Sequence, residues 1–333
     1  MRKFVALAIV LAVLTAGVVE WVYAGFAAPG PAAAHGSETV VLIKNGTGLH
    51  GVAQTLADAG VVLRPTLFQI GVRLHGETTA LKAGEFAIPS HASMADIMDI
   101  LVAGHSMEHK LTVAEGLTSK MAVDLVKGDP VLVGDAGLVP PEGALLPETY
   151  LFTRGTTRGE LVAKMQDAQR KLLDELWAKR AANLPVKTKE EAVILASIVE
   201  KETAIPAERP HIASVFVNRL KLGMRLQSDP TIIYGITKGY PLGRRIRQSE
   251  IARATPYNTY VIAGLPPQPI CNPGKDSIAA VLNPADTKDL FFVANGTGGH
   301  VFAATGAEQA ANVAKWRKIE RDQQNSPAGP SPR

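Results

Sequence analysis

The sequence predicts an α+β protein: one long N-terminal helix, a small α+β unit, and a larger mixed α/β body. Three observations lead there. An apolar run opens the chain from Phe4 to Val19. Strand-like and helix-like segments alternate over residues 38–106. Later, amphipathic helical stretches are followed by "LFFVANGTGGHVFAAT", two strand-like runs around a Gly-rich turn.

The elements follow in order. Arg2 and Lys3 precede the apolar run, Glu20 interrupts it, and "WVYAGFAA" extends it. A spanning helix needs about 20 residues at about 1.5 Å rise each. Residues 4–26 supply that length, with Trp21 and Tyr23 suited to an outer interface, so a transmembrane anchor is expected after a cytoplasmic end at 1–3. A cleaved signal peptide is the rival reading, since small residues follow at 27–34. Both readings place the rest of the chain outside the cytoplasm.

Residues 27–37 read as a linker. "ETVVLIKNGTG" then predicts a strand and turn, and "LHGVAQTLADAGVV" a helix stopped at Gly60. "LKAGEFAIP" predicts a second strand, and "SMADIMDILVAG" a helix closed by Gly104. These form a unit at 38–106. The body is expected over 107–322, beginning with a strand and helix start in "HKLTVAEGLT" and closing on a helix in "EQAANVAKWRKIERDQQ". Residues 323–333 read as a disordered tail.

Composition excludes some functions. The 35 basic residues barely exceed the 31 acidic ones, so no polyanion is implied. The cluster Arg244, Arg245 and Arg247 lacks interleaved aromatics and reads as a solvated face rather than a nucleic-acid surface. One cysteine, Cys271, allows neither an internal disulfide nor a cysteine metal cluster, and reads as a packed loop residue. Gly46 and Gly48 in "NGTG" are too little for a phosphate loop.

The informative stretch is "EEAVILASIVEKET", a helix opened by a capping box of Thr188 and Glu191 and ended before Pro206. Leu195, Ile198, Val199 and Glu202 share one line at i, i+3, i+4 and i+7. Glu202 thus continues an apolar stripe. Glu200 lies about 200° away by helical geometry and has easier access to solvent. Burial and the negative end of the helix both disfavour a charged Glu202. That makes it a candidate general acid, opposed by Lys201 or Arg209, or else a surface residue paired with an arginine. The next helix, "ERPHIASVFVNRLKLG", carries Ile212, Val215, Phe216, Arg219 and Leu220 on one side. In "LQSDPTIIYG", Asp229 is a candidate N-cap with Pro230 at the first helical position.

Five strings occur in order: "LLPETYLF", "ILASIVEKET", "VFVNRLKLGMRLQSDPTIIYG", "TPYNTYVIAGLPPQPICNPG" and "LFFVANGTGGHVF". Together they resemble the endolytic murein transglycosylase (MltG, YceG-like) family over nearly the whole chain beyond the anchor. The resemblance implies an inner-membrane protein with a periplasmic body, a LysM-like subdomain at 38–106, and a catalytic domain with an antiparallel sheet. It implies cleavage of nascent peptidoglycan strands between N-acetylmuramic acid and N-acetylglucosamine, leaving 1,6-anhydro ends. It assigns catalysis to the glutamate before the threonine of "EKET", here Glu202. The sequence departs mildly at Glu148, where Asp is commoner, and at Gln268, where Gly is commoner.

On this reading Glu202 protonates the bridging oxygen and then takes the proton of the muramic C6 hydroxyl, which closes on C1. No metal or cofactor is required. Gln227, Asp229, Tyr257, Asn258 and Tyr260 are candidate sugar contacts, with Asp229 equally a cap and the tyrosines equally core. Glu148 and Tyr150 are candidates for lining the cleft, with a structural turn as their alternative; His300 reads rather as a hairpin end. Expected partners are the glycan strand, the synthases that extend it, and the membrane; no nucleic acid is expected. The alternatives are a non-catalytic peptidoglycan-binding scaffold and a water-using glycoside hydrolase. The hydrolase would draw its second carboxylate from Glu148, Glu200 or Asp229.

Overall fold

The computed structural model describes residues 2–325, with backbone only at 2–8, 10–12, 18 and 323–325. The chain forms two compact units, one of residues 1–110 and 151–156, the other of 111–150 and 157–333.

The first unit contains α1 (Arg2–Ala27), β1 (Glu38–Ile43), α2 (Leu49–Asp58), α3 (Pro65–Leu74), β2 (Gly84–Pro89) and α4 (Met94–Ala103). Strands β1 and β2 pair antiparallel from Glu38 opposite Pro89 to Ile43 opposite Gly84. Their alternating inward residues Val41, Ile43, Phe86 and Ile88 meet Val52, Leu56, Phe68, Ile97 and Leu101 from the helices in one core. Helix α4 ends as expected at Gly104, φ 71°, and opens on a capping box of Ser93 and Asp96. Gly104 suits that position because left-handed backbone costs it no Cβ clash. Helix α3 was not legible in the sequence.

The predicted N-terminal helix is present as α1. Ile9, Val13, Leu14, Trp21 and Tyr23 along it are exposed. Its last turn is different. Phe26 is buried in the core of the first unit. Its ring lies 6.2 Å from Phe68 and stacks 5.3 Å from His75. Gly71 admits it, since a Cβ there would collide with the Phe26 ring. Among the described residues no helix is long and apolar enough to cross a membrane.

Strands β3 (Glu108–Thr112) and β4 (Thr149–Thr153) pair, and both units take residues from each strand. The second unit adds α5 (Ser119–Gly128), α6 (Arg158–Ala178), α7 (Lys189–Glu202), α8 (Arg209–Lys221), α9 (Asp229–Thr237), α10 (Gln248–Ile251) and α11 (Lys275–Leu282). It ends with β5 (Phe291–Ala294), β6 (His300–Ala303) and α12 (Gly306–Asn325). Strands β5 and β6 form the expected antiparallel hairpin, with Phe291 opposite Ala303. The sheets are thus small two-stranded pairs, and helices carry most of the core.

Helix α7 is the centre of that core. Residues 192–199 are all buried, so the helix is enclosed on every side rather than amphipathic. Leu195, Ile198 and Val199 pack with Ile212 and Phe216 of α8 and with Ile278 and Val281 of α11. The predicted capping box is half formed. Thr188 accepts from the Glu191 amide, but the Glu191 carboxylate accepts from Lys187 instead of closing back on Thr188. The predicted tail is also partly corrected: residues 323–325 belong to α12, and 326–333 lie outside the described residues. Cys271 is a buried loop residue, as expected, with its thiol against the Ser197 carbonyl.

Candidate active site

Glu202 is the last residue of α7. Thr203 leaves the helix in extended backbone at φ −139° and ψ 136°, and Pro206 follows shortly. Glu202 is half-buried, and Ser228 Oγ donates to its Oε1 at 2.5 Å. Ser228 is itself buried, with its amide donating to Thr259 Oγ1 at 2.9 Å. It is also the N-cap of α9, but its hydroxyl makes no capping bond. The usual capping group therefore serves the glutamate instead. This corrects the expectation for Asp229, which is the first helical residue rather than the cap.

Around this pair the chain collects further polar groups. Tyr260 Oη donates to Asp229 Oδ1 at 2.7 Å. Gln227 holds φ at 53°, left-handed backbone that a non-glycine residue seldom adopts. Its backbone N–H donates to the Thr259 carbonyl at 3.1 Å. Its Oε1 accepts from Arg219 Nη1 at 3.3 Å. Arg219, buried on α8, also donates to the carbonyls of Leu226 at 2.8 Å and Leu290 at 2.6 Å. One buried guanidinium thus ties the turn before Ser228 to the strand region beyond it.

These surroundings set the proton affinity of Glu202. Burial raises its pKa to about 7. The Ser228 hydrogen bond opposes that rise, the Asp229 charge adds to it, and the Arg219 guanidinium opposes it. A carboxyl with a pKa near neutrality can both give and take a proton under working conditions. Tyr260 is pushed upward by burial and by its bond to Asp229, which keeps the phenol protonated as a donor.

Glu200 corrects the sequence reading. It is not turned to solvent. Its carboxylate is buried, 3.2 Å from Arg209 Nη2, and it accepts the Gly274 amide at 2.9 Å. The same guanidinium reaches Glu115 at 2.8 Å and Asp276 at 3.4 Å. Arg209 therefore serves Glu200, and the arginine that acts on Glu202 is Arg219. A second clamp holds the residue after Glu202. Thr203 Oγ1 donates to Glu208, which also accepts the His300 amide and ring Nδ1, each at 2.8 Å. Burial raises the Glu208 pKa, but the bonds from His300 and Thr203 outweigh it and leave a lowered value.

Of the predicted residues, Gln227, Asp229 and Tyr260 gather with Glu202. Asn258 is fully buried. Its amide nitrogen donates to the carbonyls of Glu250, Ile251 and Arg253, and its oxygen accepts the Tyr260 amide. It shapes the loop that presents Tyr260. Tyr257 tilts against Tyr234 at 5.0 Å, and its hydroxyl donates to Gln268 at 3.4 Å. Glu148 is exposed just before β4, and among the described residues no hydrogen bond joins its carboxylate to the Glu202 group. Tyr150 is core, with its hydroxyl on the Leu146 carbonyl. Ser228, Arg219 and Glu208 were missed as site residues. For Arg219 a signal existed: a charge on the buried stripe of Ile212 and Phe216, the same sign that singled out Glu202.

The YceG-like family model matches residues 41–315. The chain belongs to the YceG-like family. It is similar to the endolytic murein transglycosylase of Bacillus subtilis, 37% identical over 54% of this chain and 48% of that protein. It is also similar to the endolytic murein transglycosylase of Streptococcus pneumoniae, 31% identical over 80% of this chain and 56% of that protein. The chain thus spans about half the length of these curated relatives. A crystal structure of a yceG-like protein from Listeria monocytogenes aligns with 83% of this chain and 99% of its own, at 28% identity and a TM-score of 0.49.

Proposed function

We propose that the chain is an endolytic lytic transglycosylase that cuts peptidoglycan strands between N-acetylmuramic acid and N-acetylglucosamine. The observation that carries this reading is Glu202: a half-buried carboxyl, raised to about pKa 7, with Ser228 and Asp229 against it. Protonated, it donates to the bridging oxygen as the C1 bond breaks. The leaving sugar departs with that proton. The carboxylate then accepts the proton of the muramic C6 hydroxyl, whose oxygen bonds to C1 and forms the anhydro ring. The nucleophile is already tethered to the reacting centre, which supplies the proximity a water would otherwise lack. Ser228 fixes the carboxylate through Oε1, and Gln227, Asp229 and Tyr260 are proposed to contact sugar.

We further propose that α1 anchors the chain in the cytoplasmic membrane with the body in the periplasm. The support is the apolar run from Phe4 to Val19 after Arg2 and Lys3, and the exposed apolar and aromatic side chains of Ile9, Val13, Leu14, Trp21 and Tyr23. The first unit is read as LysM-like, and the synthases that extend the strand as partners; both rest on the family resemblance.

The test is the product. Purified wild-type protein is incubated with peptidoglycan strands and the fragments are weighed by mass spectrometry. Anhydro ends support the proposal. Reducing ends would replace it with water-using hydrolysis, for which Asp229, beside Glu202, is the available second carboxylate. Strands left intact would mark a binding scaffold.

A further inference from the structure

Beneath the Glu202 cluster lie two polar side chains wholly withdrawn from water. Thr231 of α9 and Thr259, just before Tyr260, are both 0% exposed. Their hydroxyl oxygens are 2.9 Å apart. Thr231 Oγ1 donates to the Ser228 carbonyl at 2.6 Å, and Thr259 Oγ1 accepts the Ser228 N–H at 2.9 Å. The order of the protons follows, because each hydroxyl has a single hydrogen to give. That of Thr231 is committed to the short bond with the carbonyl. Thr259 is 3.4 Å from the same carbonyl, a poorer position than its 2.9 Å from Thr231. The hydrogen between the two threonines therefore belongs to Thr259. The chain of bonds runs one way, from Thr259 through Thr231 to Ser228.

This chain holds the backbone on both sides of Ser228. With the Gln227 N–H on the Thr259 carbonyl at 3.1 Å, three successive peptide groups are fixed. That grip keeps Gln227 at φ 53°, where a non-glycine backbone is strained. It also frees the Ser228 hydroxyl. An N-cap hydroxyl accepts the N–H of the second or third helical residue. In α9 the second is Pro230, which has no N–H. The third is Thr231, whose N–H is already on the Ser228 carbonyl at 3.2 Å. The helix start makes no call on the hydroxyl, and it turns to Glu202 Oε1.

We propose that Thr231 and Thr259 are positioning residues: they hold the Ser228 backbone so that its hydroxyl donates to Glu202 and fixes that carboxyl for proton transfer. The inference rests on the proposed role of Glu202. Being fully buried, the two threonines touch no substrate and act through Ser228. The charged and titratable groups that face Glu202 are Asp229 of α9, Arg219 of α8 and Tyr260 of the following loop. Thr259→Val alters none of them. It keeps the branched shape of the side chain and removes its hydroxyl, and with it the acceptor of the Ser228 N–H.

The experiment reads Glu202 directly. The detergent-solubilised full chain is labelled with carbon-13 at its glutamate carboxyls, and the Glu202 signal is the one missing from Glu202→Gln. Its pH titration is followed by NMR, with a wild-type midpoint expected near 7. Thr259→Val loosens the Ser228 bond that favours the carboxylate, so the midpoint should rise by about one unit. Formation of anhydro ends should lose about ten- to a hundredfold in kcat, with KM within about twofold. Thr259→Ser keeps the hydroxyl and should restore both. In a Ser228→Ala background Thr259→Val should move the midpoint no further, because its path to Glu202 is already cut. Where Thr259→Val does not fold, Thr231→Val removes the donor to the Ser228 carbonyl and carries the same expectations. An unmoved midpoint, a Thr259→Ser that fails to restore it, or a shift that adds to that of Ser228→Ala would overturn the proposal. The titration needs no turnover. Shifted midpoints with no anhydro products from the wild type would sink the proposed function alone; anhydro products with unmoved midpoints would sink this inference alone.

Discussion

Glu200 and Glu202 stand two residues apart on the last turn of α7, in opposite electrical surroundings. Glu200 has a guanidinium at 3.2 Å and a backbone amide at 2.9 Å. Glu202 has a neutral hydroxyl at 2.5 Å and a second carboxylate close enough to raise its pKa. Burial alone does not make a general acid, since the Glu200 carboxylate is the more buried of the two. What separates them is the partner each holds: a guanidinium for Glu200, a neutral hydroxyl for Glu202. The ion-paired member joins α7 to Arg209 and to the Gly274 turn, while burial raises the Glu202 pKa to about 7.

The strongest test of this contrast is Glu202→Gln. Cleavage should fall by about 10²–10⁴-fold, measured as anhydro ends formed per minute by protein with an unchanged circular dichroism spectrum. The same variant has a stability signature. A carboxyl raised from 4.5 to about 7 binds its proton more tightly in the folded chain, so wild-type stability falls as pH rises from about 4.5 to 7. Glu202→Gln should therefore be the more stable protein at pH 8, by on the order of 1–2 kcal/mol after discounting for partial exposure, and should show no advantage at pH 4. Urea titrations at the two pH values read this directly.

Glu200→Gln should do the reverse. Stability should drop by about 1–3 kcal/mol, because Arg209 loses one buried partner but keeps Glu115. Cleavage per folded molecule should keep its pH profile. A shifted profile in Glu200→Gln would break the separation drawn between the two acids.

Smaller changes sharpen it. In the wild type the alkaline limb of kcat should fall through about pH 7 as Glu202 loses its proton. Asp229→Asn removes a raising influence and should move that limb down. Ser228→Ala removes a lowering one and should move it up, with a lower maximal rate from a less fixed carboxylate. The least effect is expected of Tyr260→Phe, which deletes one hydrogen bond to Asp229 and should cost about 0.5–1.5 kcal/mol in thermal unfolding.

The sequence carried the fold where local signals were strong. Gly104 and the alternating runs around Asn295–Gly299 marked the end of α4 and the β5–β6 hairpin correctly, while the Ser93–Asp96 capping box that opens α4 went unread. Helix α6 went unread although Thr157 and Glu160 form a full capping box at its start. For the site, Glu202 was legible as an acid continuing an apolar stripe. The companion inference about Glu200 failed because α7 has no solvent face, so an angle of about 200° leads to another buried wall. Ser228 was hidden for a different reason. Its hydroxyl meets a residue 26 positions earlier, and at that turn the neighbouring Asp229 was the residue read as the cap.

The lodging of Phe26 bears on how the protein can be prepared. A chain shortened to begin at residue 28 would remove the apolar leader at the expense of a plug: the slot over Gly71, walled by Phe68 and His75, would open to water. Starting a few residues earlier, ahead of Val22, would keep that aromatic wedge seated and yield a sounder soluble fragment.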